Sequence, residues 1–544
     1  MLNHKNEFIW VLLLTLILNF FSYYPLIHNL RTAPPDRYYW GGSTEVPLDA
    51  LGNVDTIRRG YLGDWYHTPP DTSTIRTIPT ALKFEYILIG HIGRIAHIDP
   101  LIMYYLSKII LSTATILVIY GVIRSVFATP AERFVCFLTA LFATSVIFPV
   151  PWSRQILTFL PLEVSVFFRL TTAPHHYLLG ILLSLASMYF FAKALDDRRQ
   201  IRYVLISVVS GLACGIINAP SILLVLVTLP VFFLLRLTQY PAKKILTNDV
   251  PLLCFYCAGV GLSFVYLTFM SHFWNYNTLA YTEQRVGYKI VPWQYIWVVG
   301  VPYILALCAV PYVLAKKQTF LTLCLPWIIL HPLAIFLITP VLHMNNSRLF
   351  FSAYFVVFAI LATAGLSYLT SLARRSIHIK NLTFWIFLTA TIVTIGSGVC
   401  AYQRSFRFLF VDYLVAEPFT FGYPKKDVMD AVWWLRDHTQ KNDIVLSDLY
   451  AGALIPAFAG NKVFTSWWFY LESPEFGRTY TQVLDFYSRA MSDTRADTFL
   501  RSNSISYVVV RFEEQLLLTP VRGLSYPSLQ EKFHNDTAAV YKVK

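Results

Sequence analysis

The sequence predicts an α-helical polytopic membrane protein with about eleven transmembrane helices, followed by a small C-terminal α/β domain. Three observations support this fold class. Of the 544 residues, 56% are hydrophobic and only 14% are charged, whereas about a quarter of a soluble globular chain is charged. Many of the hydrophobic residues form runs that approach the roughly 20 residues needed to cross a bilayer. From residue 422 onward the chain is more polar and alternates strand-like and helix-like stretches, which is typical of an α/β domain.

The apolar runs give eleven predicted spans. They lie near residues 8–28, 100–123, 134–151, 174–192, 203–217, 220–236, 250–270, 291–315, 319–341, 349–371 and 383–402. The first has a basic flank at Lys5 and no small-residue cleavage site, which indicates a retained anchor rather than a signal peptide. The fifth and sixth are short and are separated by Asn218-Ala219-Pro220. They are either two half-length helices or one broken helix.

The distribution of positive charge predicts the orientation. Lys and Arg residues are several-fold more numerous in the connections on the N-terminal side of the predicted membrane than in the short connections on the other side. Positively charged connections stay in the cytoplasm. We therefore expect a cytoplasmic N-terminus and an extracytoplasmic C-terminus.

Two polar segments then fall on the extracytoplasmic face. The first external loop occupies residues 29–99 and ends in an apolar stretch, Phe84 to Ile98, that is too short to span and favours a helix in the membrane interface. The second is the tail. The predicted domains are thus residues 1–421, a transmembrane domain that includes this loop, and residues 422–544, an extracytoplasmic α/β domain. No Gly-rich phosphate loop opens a tail helix, so a nucleotide site is not supported.

The net charge of +13 does not indicate a nucleic-acid partner, because the basic residues fall in short clusters between apolar runs and not in a stripe with interleaved aromatics. The seven cysteines all lie in apolar segments. The sequence therefore predicts no disulfide framework.

The outer face carries few acidic residues, and two of them lie in suggestive contexts. Leu48 to Trp65 reads LDALGNVDTIRRGYLGDW, in which Asp49 is followed by an apolar and basic helical stretch, which includes Asp55, and by a Gly-x-x-Gly-x-Trp turn. Pro161 to Leu178 reads PLEVSVFFRLTTAPHHYL, which places Glu163 in the second external loop and His175 and His176 at the mouth of the next span. Adjacent histidines point to different faces of a helix, so joint metal chelation is not expected.

Cationic and polar residues occupy two other external positions. Arg348 follows HMNNS at the end of a span, and Gln284, Arg285 and Lys289 form a cluster in the loop after the seventh span. An Arg here either extends toward lipid headgroups or binds a phosphate with its planar fork. A carboxylate in the same compartment would deprotonate an acceptor hydroxyl, while Arg would stabilise charge on a phosphate leaving group.

The order of these features resembles the GT-C glycosyltransferases, and more narrowly a group of bacterial and archaeal GT-C-like membrane proteins. The first-loop motif of that group, an Asp followed by two Gly and a Trp, is matched by Asp49, Gly60, Gly63 and Trp65. The next motif of that group, an acidic residue in the second external loop followed by a Pro-His pair that opens a span, is matched by Glu163, Pro174 and His175. Its tail pattern is matched by Trp434-Leu435-Arg436, Ile444-Val445-Leu446, Ile455-Pro456-Ala457 and Tyr507-Val508-Val509. The resemblance runs from the first span to about residue 515.

This resemblance implies a prokaryotic plasma-membrane enzyme that transfers a sugar, with inversion, from a polyprenyl-phosphate-linked donor to a glycan, lipid or protein acceptor. Asp49 would be the general base and Glu163 a second acid. Arg348, Arg285 and Lys289 would hold the donor phosphate. Asp55, Trp65, His175, His176 and Gln284 would contact acceptor or sugar. Glu45 and Asp55 remain alternatives to Asp49 as the base, and the need for a divalent cation stays open.

Two other functions remain open. A lipid or glycolipid transporter or flippase would place ionisable residues near mid-membrane, where Lys108 is the clearest candidate. A non-catalytic assembly subunit would instead present the tail to a partner protein. The sequence also carries no detectable internal repeat, which weighs against a transporter built from two similar halves.

Overall fold

The computed structural model describes residues 4–41, 47–73, 79–142, 170, 173–197, 200–271, 290–376, 382, 385–396, 422–466, 476–512 and 524–544. Seven of the helices in these ranges are long and apolar enough to cross a membrane: Asn6–Thr32, Pro100–Val126, His175–Asp196, Ala219–Gln239, Ala242–Met270, Thr319–Val341 and Tyr354–Arg374. The chain is therefore an integral membrane protein, as the composition predicts.

The helices up to residue 396 correspond to most of the predicted spans and to the first loop. In chain order they are α1 (His4–Thr32), α2 (Pro47–Tyr61), α3 (Phe84–Ala96), α4 (Pro100–Val126), α5 (Pro130–Phe142), α6 (His175–Asp196), α7 (Ile201–Ile217), α8 (Ala219–Gln239), α9 (Val250–Ser271), α10 (Pro292–Val299), α11 (Val301–Leu307), α12 (Val310–Lys316), α13 (Thr319–Cys324), α14 (Trp327–Leu333), α15 (Tyr354–Ser376) and α16 (Trp385–Gly396).

Proline and glycine interrupt several of these helices. The predicted span 291–315 consists of α10, α11 and α12, with Gly300 at a φ of 73° and prolines at the starts of α11 and α12. A helix break lies at Asn218 as predicted, but α8 is long enough to cross a membrane by itself and is not a half-length helix. Parts of the predicted spans 134–151 and 383–402 lie outside the described residues. The total of eleven spans therefore stays a prediction.

The chain divides into two compact units. One takes the described residues of Met1–Ser22, Lys108–Thr268 and Glu283–Phe408, and the other takes those of Tyr23–Ser107, Phe269–Thr282 and Leu409–Lys544. The predicted boundary between residues 421 and 422 is not tested, because residues 397–421 are not described. We call the two units the membrane unit and the outer unit.

Within the membrane unit, helices pack around buried polar links as well as apolar side chains. Helix α6 packs against α7, α8 and α13, and α15 packs against α5, α11 and α12. The buried Arg236 guanidinium forms an ion pair with Asp249 at 2.9 Å and donates a hydrogen bond to Thr319 Oγ1 at 3.0 Å. These contacts join α8, the helical turn Ile245–Asp249 just before α9, and α13, so the buried Arg236 charge is paired.

The tail of the outer unit is a small α/β fold. Its elements are α17 (Lys426–His438), β1 (Ile444–Leu446), α18 (Leu449–Phe458), β2 (Lys462–Val463), α19 (Phe476–Tyr487), α20 (Asp493–Ser502), β3 (Ile505–Arg511), β4 (Leu529–His534) and β5 (Ala538–Val543). The sheet order is β2-β1-β3-β5-β4, with β1 parallel to β2 and β3, and β5 antiparallel to β3 and β4. The predicted α/β fold of the tail is confirmed.

The first loop and the tail share one hydrophobic core. Side chains of α2 and α3, including Leu51, Val54 and Tyr86, pack with those of α17 and α18. The loop also extends the sheet, because Thr72 N donates to Val463 O at 2.9 Å and Val463 N donates to Pro70 O at 3.0 Å. The loop thereby covers the β2 edge of the sheet.

Because the first loop and the tail share this core, we expect both segments to lie on the same side of the bilayer. The ten spans predicted after the first agree with this expectation.

Helix α3 is apolar on two faces. Its inner face, with Tyr86 and Ile87, is fully buried in the outer unit, while Leu88, Ile92 and Ile95 form an exposed apolar stripe on the other face. An exposed stripe of this kind is what a helix in the membrane interface requires. The interfacial position itself remains a prediction.

Candidate functional site

Asp49 lies on the first turn of α2, and its side chain is exposed. The opposite face of the helix, with Ala50, Leu51 and Val54, is fully buried in the core of the outer unit. The helix therefore holds the Asp49 carboxyl group at its exposed N-terminal end, on a support that is packed into the core. Glu45, the alternative base that precedes α2, lies outside the described residues.

Asp55, in contrast, is buried on the inner side of α2 with 3% of its surface exposed. Its Oδ1 forms an ion pair with Arg59 Nε, one helical turn later, at 3.3 Å. Burial raises the pKa of the Asp55 carboxyl, against the opposing effect of the Arg59 guanidinium. In this position Asp55 orients Arg59.

The turn after α2 places Trp65. Gly63 has a φ of 102°, a backbone conformation that side-chain-bearing residues rarely adopt, and Asp64 N donates to Arg59 O at 3.0 Å. The chain therefore turns sharply. Trp65 stacks on His91 of α3 with ring centroids 4.1 Å apart, yet 58% of its surface is exposed. One face of the indole is supported and the side chain remains accessible.

Arg348 lies in the membrane unit, in the 3₁₀ helix Asn346–Phe351. The Asn345 side chain caps this helix by accepting a hydrogen bond from Ser347 N at 3.0 Å. The Asn346 amide bonds both backbone groups of Ile290, at 2.8 and 2.9 Å. These bonds fix the backbone that carries Arg348.

The Arg348 guanidinium donates a hydrogen bond to the hydroxyl of Tyr177 on α6. The Tyr177 ring stacks on Phe351 with centroids 4.2 Å apart. His175 and His176 precede Tyr177 at the start of the same helix, where His175 is fully buried and His176 is partly buried. The structure therefore joins the end of one predicted external connection, at Arg348, to the start of α6.

Two further polar side chains lie inside the membrane unit. The His331 ring is buried on α14, and its Nδ1 lies 2.8 Å from the hydroxyl of Tyr295 on α10. Lys108 on α4 is fully buried. Ionisable groups inside membrane helices are costly and usually functional. Sequence reasoning singled out Lys108 but not His331, because one His in an apolar run gives little signal.

The remaining predicted site residues, Glu163, Gln284, Arg285 and Lys289, lie outside the described residues. In the described ranges no three His, Cys, Asp or Glu side chains are grouped so that they could hold a metal ion.

No protein-family model matches the sequence, and no curated protein does. Solved structures do match. The oligosaccharyltransferase of Archaeoglobus fulgidus, tethered to an acceptor peptide, matches with a TM-score of 0.52 and 15% identity, over 93% of this chain and 69% of that one. Arabinofuranosyltransferase AftD from Mycobacteria matches with a TM-score of 0.53 and 14% identity, over 100% of this chain and 42% of that one.

ArnT from Cupriavidus metallidurans, bound to undecaprenyl phosphate, matches with a TM-score of 0.50 and 10% identity, over 99% of this chain and 98% of that one. All three are GT-C glycosyltransferases. The predicted fold class is therefore confirmed: the chain has a GT-C-like fold with a C-terminal α/β domain.

Proposed function

We propose that the protein is a membrane glycosyltransferase that transfers a sugar from a polyprenyl-phosphate-linked donor to an acceptor. The observation that carries this proposal is the GT-C-like fold with Asp49 exposed at the first turn of a rigidly packed helix. The structural neighbours support the donor class, since the Archaeoglobus fulgidus enzyme was solved with a dolichol-phosphate and ArnT with undecaprenyl phosphate.

In the proposed reaction Asp49 accepts the proton of an acceptor hydroxyl. The acceptor oxygen attacks the anomeric carbon of the donor sugar from the side opposite the phosphate. The bond from that carbon to the phosphate oxygen breaks with inversion, and its electron pair leaves on the polyprenyl phosphate. The proton ends on Asp49 and the new negative charge on the phosphate, so the step is balanced.

Arg348 is proposed to stabilise that phosphate charge. A guanidinium binds two phosphate oxygens at once and strengthens its hold as the charge grows. Tyr177 and the bonded backbone of the 3₁₀ helix restrict the position of the guanidinium before the donor arrives. Arg285 and Lys289 are proposed to assist Arg348, and Glu163 to bind the acceptor or a cation. The remaining proposed contacts to sugar and acceptor come from Trp65, His175, His176 and Gln284. Asp55 contributes indirectly, through Arg59.

The proposed reaction takes place on the extracytoplasmic face of a prokaryotic plasma membrane, with the N-terminus in the cytoplasm. This orientation follows from the positive charge of the N-terminal-side connections. The shared core of the first loop and the tail is consistent with both segments lying on one face, and the charge distribution indicates which face that is.

The experiment is a transfer assay in membranes of cells that lack the native gene and carry either the wild-type chain or Asp49→Asn. Release of polyprenyl phosphate from labelled donor is the readout. The variant should lose at least about a hundredfold in rate, the scale of one general base. Asp427→Asn is the matched control, because Asp427 also lies in the first turn of a helix of the outer unit. It should keep wild-type activity.

Full activity of a stably folded Asp49→Asn protein would remove Asp49 from the proposed mechanism. Glu45→Gln and Asp55→Asn in the same assay identify which of the alternatives then supplies the base. A thermal melting curve of each purified variant separates loss of chemistry from loss of folding.

A further inference from the structure

A cavity of about 210 Å³ opens in the outer unit at the far end of α2 from Asp49. Its walls come from the first loop and from the tail. The residues that matter for its chemistry are Arg59, Asp64, Trp65, Tyr66, Lys441 and Lys462. Three of these six side chains are cations and one is an anion, so the cavity is electropositive.

Arg59 is the buried cation of the cavity wall. Only 3% of its surface is exposed, and its Nε forms an ion pair with Asp55 Oδ1 at 3.3 Å. Its Nη2 has no hydrogen-bond partner among the described residues. A buried guanidinium nitrogen without a partner carries a free-energy penalty that an incoming oxyanion would relieve. Asp55 pairs with Nε, which leaves Nη2 for a ligand.

The other charges lie around Arg59. Lys441 is held by Asp64 through an ion pair of 3.1 Å, so this pair contributes little net charge. Lys462, at the start of β2, is partly buried in the cavity wall and adds a second cation. Gly460 has a φ of 87°, and a Cβ there would lie 2.9 Å from Leu62 Cδ1, so this turn of the tail fits closely against the end of α2.

Two aromatic side chains flank the cavity. Trp65 and Tyr66 are each 58% exposed, so both rings are accessible to a ligand in the cavity. His91 supports one face of Trp65. An aromatic ring beside cations suits a ligand that has both an apolar C–H face and a negative group. A sugar that bears a carboxylate or a phosphate has both.

We propose that this cavity binds an acidic sugar of the acceptor, with its oxyanion on Arg59 and Lys462 and its ring against Trp65. The binding itself is independent of the catalytic proposal; only the assignment of the bound sugar to an acceptor rests on it. Arg59 lies ten residues after Asp49 on one helix, which is about 15 Å along the helix axis. A single sugar does not reach across this distance, so the acceptor would be an oligosaccharide or longer glycan.

The test is direct binding to the full-length chain in lipid nanodiscs, measured by ligand-observed NMR without any donor present. The probes are methyl β-glucuronide, glucose 6-phosphate and the neutral methyl β-glucoside. At least one acidic probe should bind about tenfold more tightly than the neutral probe, which corresponds to one charge-assisted contact. Preference for the glucuronide assigns a carboxylate, and preference for the sugar phosphate assigns a phosphate ester.

Variants then locate the site. Lys462→Gln should remove the preference for the acidic probe, and Trp65→Ala should weaken all three probes. Arg59→Gln should abolish acidic binding if it folds; because Arg59 is buried, the decision rests on the other two variants. Lys532→Gln is the matched control, since Lys532 is exposed on β4 and does not line the cavity.

The proposal is overturned if wild-type protein binds no acidic probe more tightly than the neutral one. It is also overturned if the preference survives in Lys462→Gln, or if Trp65→Ala leaves binding unchanged. None of these outcomes depends on turnover. Failure of sugar transfer in Asp49 assays and failure of binding here are therefore separate results.

Discussion

Gly60 of α2 and Gly90 of α3 lie at a backbone crossing between the two helices of the first loop. A Cβ on Gly60 would overlap the carbonyl oxygen of Ile87, and a Cβ on Gly90 would overlap that of Ile57. The helices therefore approach as closely as their backbones allow. This crossing fixes the helix that carries Asp49, and it gives the first-loop motif glycine at position 60 a packing role.

We expect Gly60→Ala to destabilise the outer unit by about 3 kcal/mol, at the upper end of what overpacking costs. The reason is that the added methyl group meets backbone of α3, which cannot rotate away as a side chain can. The measurement is the midpoint of thermal unfolding of the purified chain in detergent.

Gly477→Ala is the control for that substitution. Gly477 lies at the exposed start of α19, and a Cβ there meets nothing within 4 Å among the described residues. This variant should unfold at or slightly above the wild-type temperature, because alanine restricts the unfolded chain. Equal loss of stability in both variants would show that the crossing is not as close as described.

Arg58 should contribute to the attachment of α2 to the tail. Its Nε donates to the carbonyl of Ala457, in the last turn of α18, at 2.6 Å. That carbonyl is one of those that a helix C-terminus leaves without an intrahelical donor. Arg58→Ala should therefore lower the free energy of unfolding by about 2 to 3 kcal/mol, measured by the same melting assay.

Arg436→Ala provides the comparison for Arg58. Its guanidinium forms an exposed ion pair with the adjacent Asp437 at 2.8 Å, and exposed pairs of this kind contribute little. We expect almost no change in the melting midpoint. A loss as large as that of Arg58→Ala would contradict the assigned role of the Arg58–Ala457 bond.

Glu85 should make the stability of the outer unit depend on pH. It is buried at the start of α3, and burial raises its pKa from an ordinary value of 4.5 to about 7, although the neighbouring Lys83 opposes this. Between these values the folded chain holds a proton that the unfolded chain releases. The contribution of Glu85 to the free energy of unfolding is therefore at its maximum below pH 4.5 and is lost as the pH rises to about 7.

Glu85→Gln tests this pH dependence, because glutamine keeps the shape and cannot ionise. The variant should be more stable than wild type above pH 7, by at most about 3 kcal/mol, and the difference should shrink toward pH 4.5. Melting curves at a series of pH values give the comparison. A constant difference at all pH values would show that Glu85 does not titrate in this range.

Parts of the fold follow from local sequence. Strand β3 was predictable because Val508, Val509 and Val510 form a β-branched run in the middle of the sheet. Strand β4 was not predicted, because it is an edge strand with the exposed residues Gln530, Glu531 and Lys532 and lacks a clear hydrophobic pattern. Helices α19 and α20 were also not predicted.

The same distinction applies to the site. The helical stretch after Asp49 could be predicted from its residues, whereas the position of Asp49 in the first turn and its exposure come from the structure. Arg59 could not be identified, because its burial and its cavity depend on Lys441 and Lys462, nearly 400 residues away in sequence. Asp55 was predicted as a sugar contact. In the structure it pairs with Arg59, four residues later on the same helix, and both side chains are buried by parts of the chain that are distant in sequence.

The donor class is the central claim, and a comparison of labelled donors in proteoliposomes tests it most directly. The sugar is supplied either on polyprenyl monophosphate or on a nucleoside diphosphate, with an extract of cell-envelope glycans as acceptor. The account predicts label in the glycan fraction and stoichiometric release of polyprenyl phosphate from the first donor only. Transfer from the nucleotide sugar, or movement of intact lipid-linked sugar across the bilayer without transfer, would contradict it.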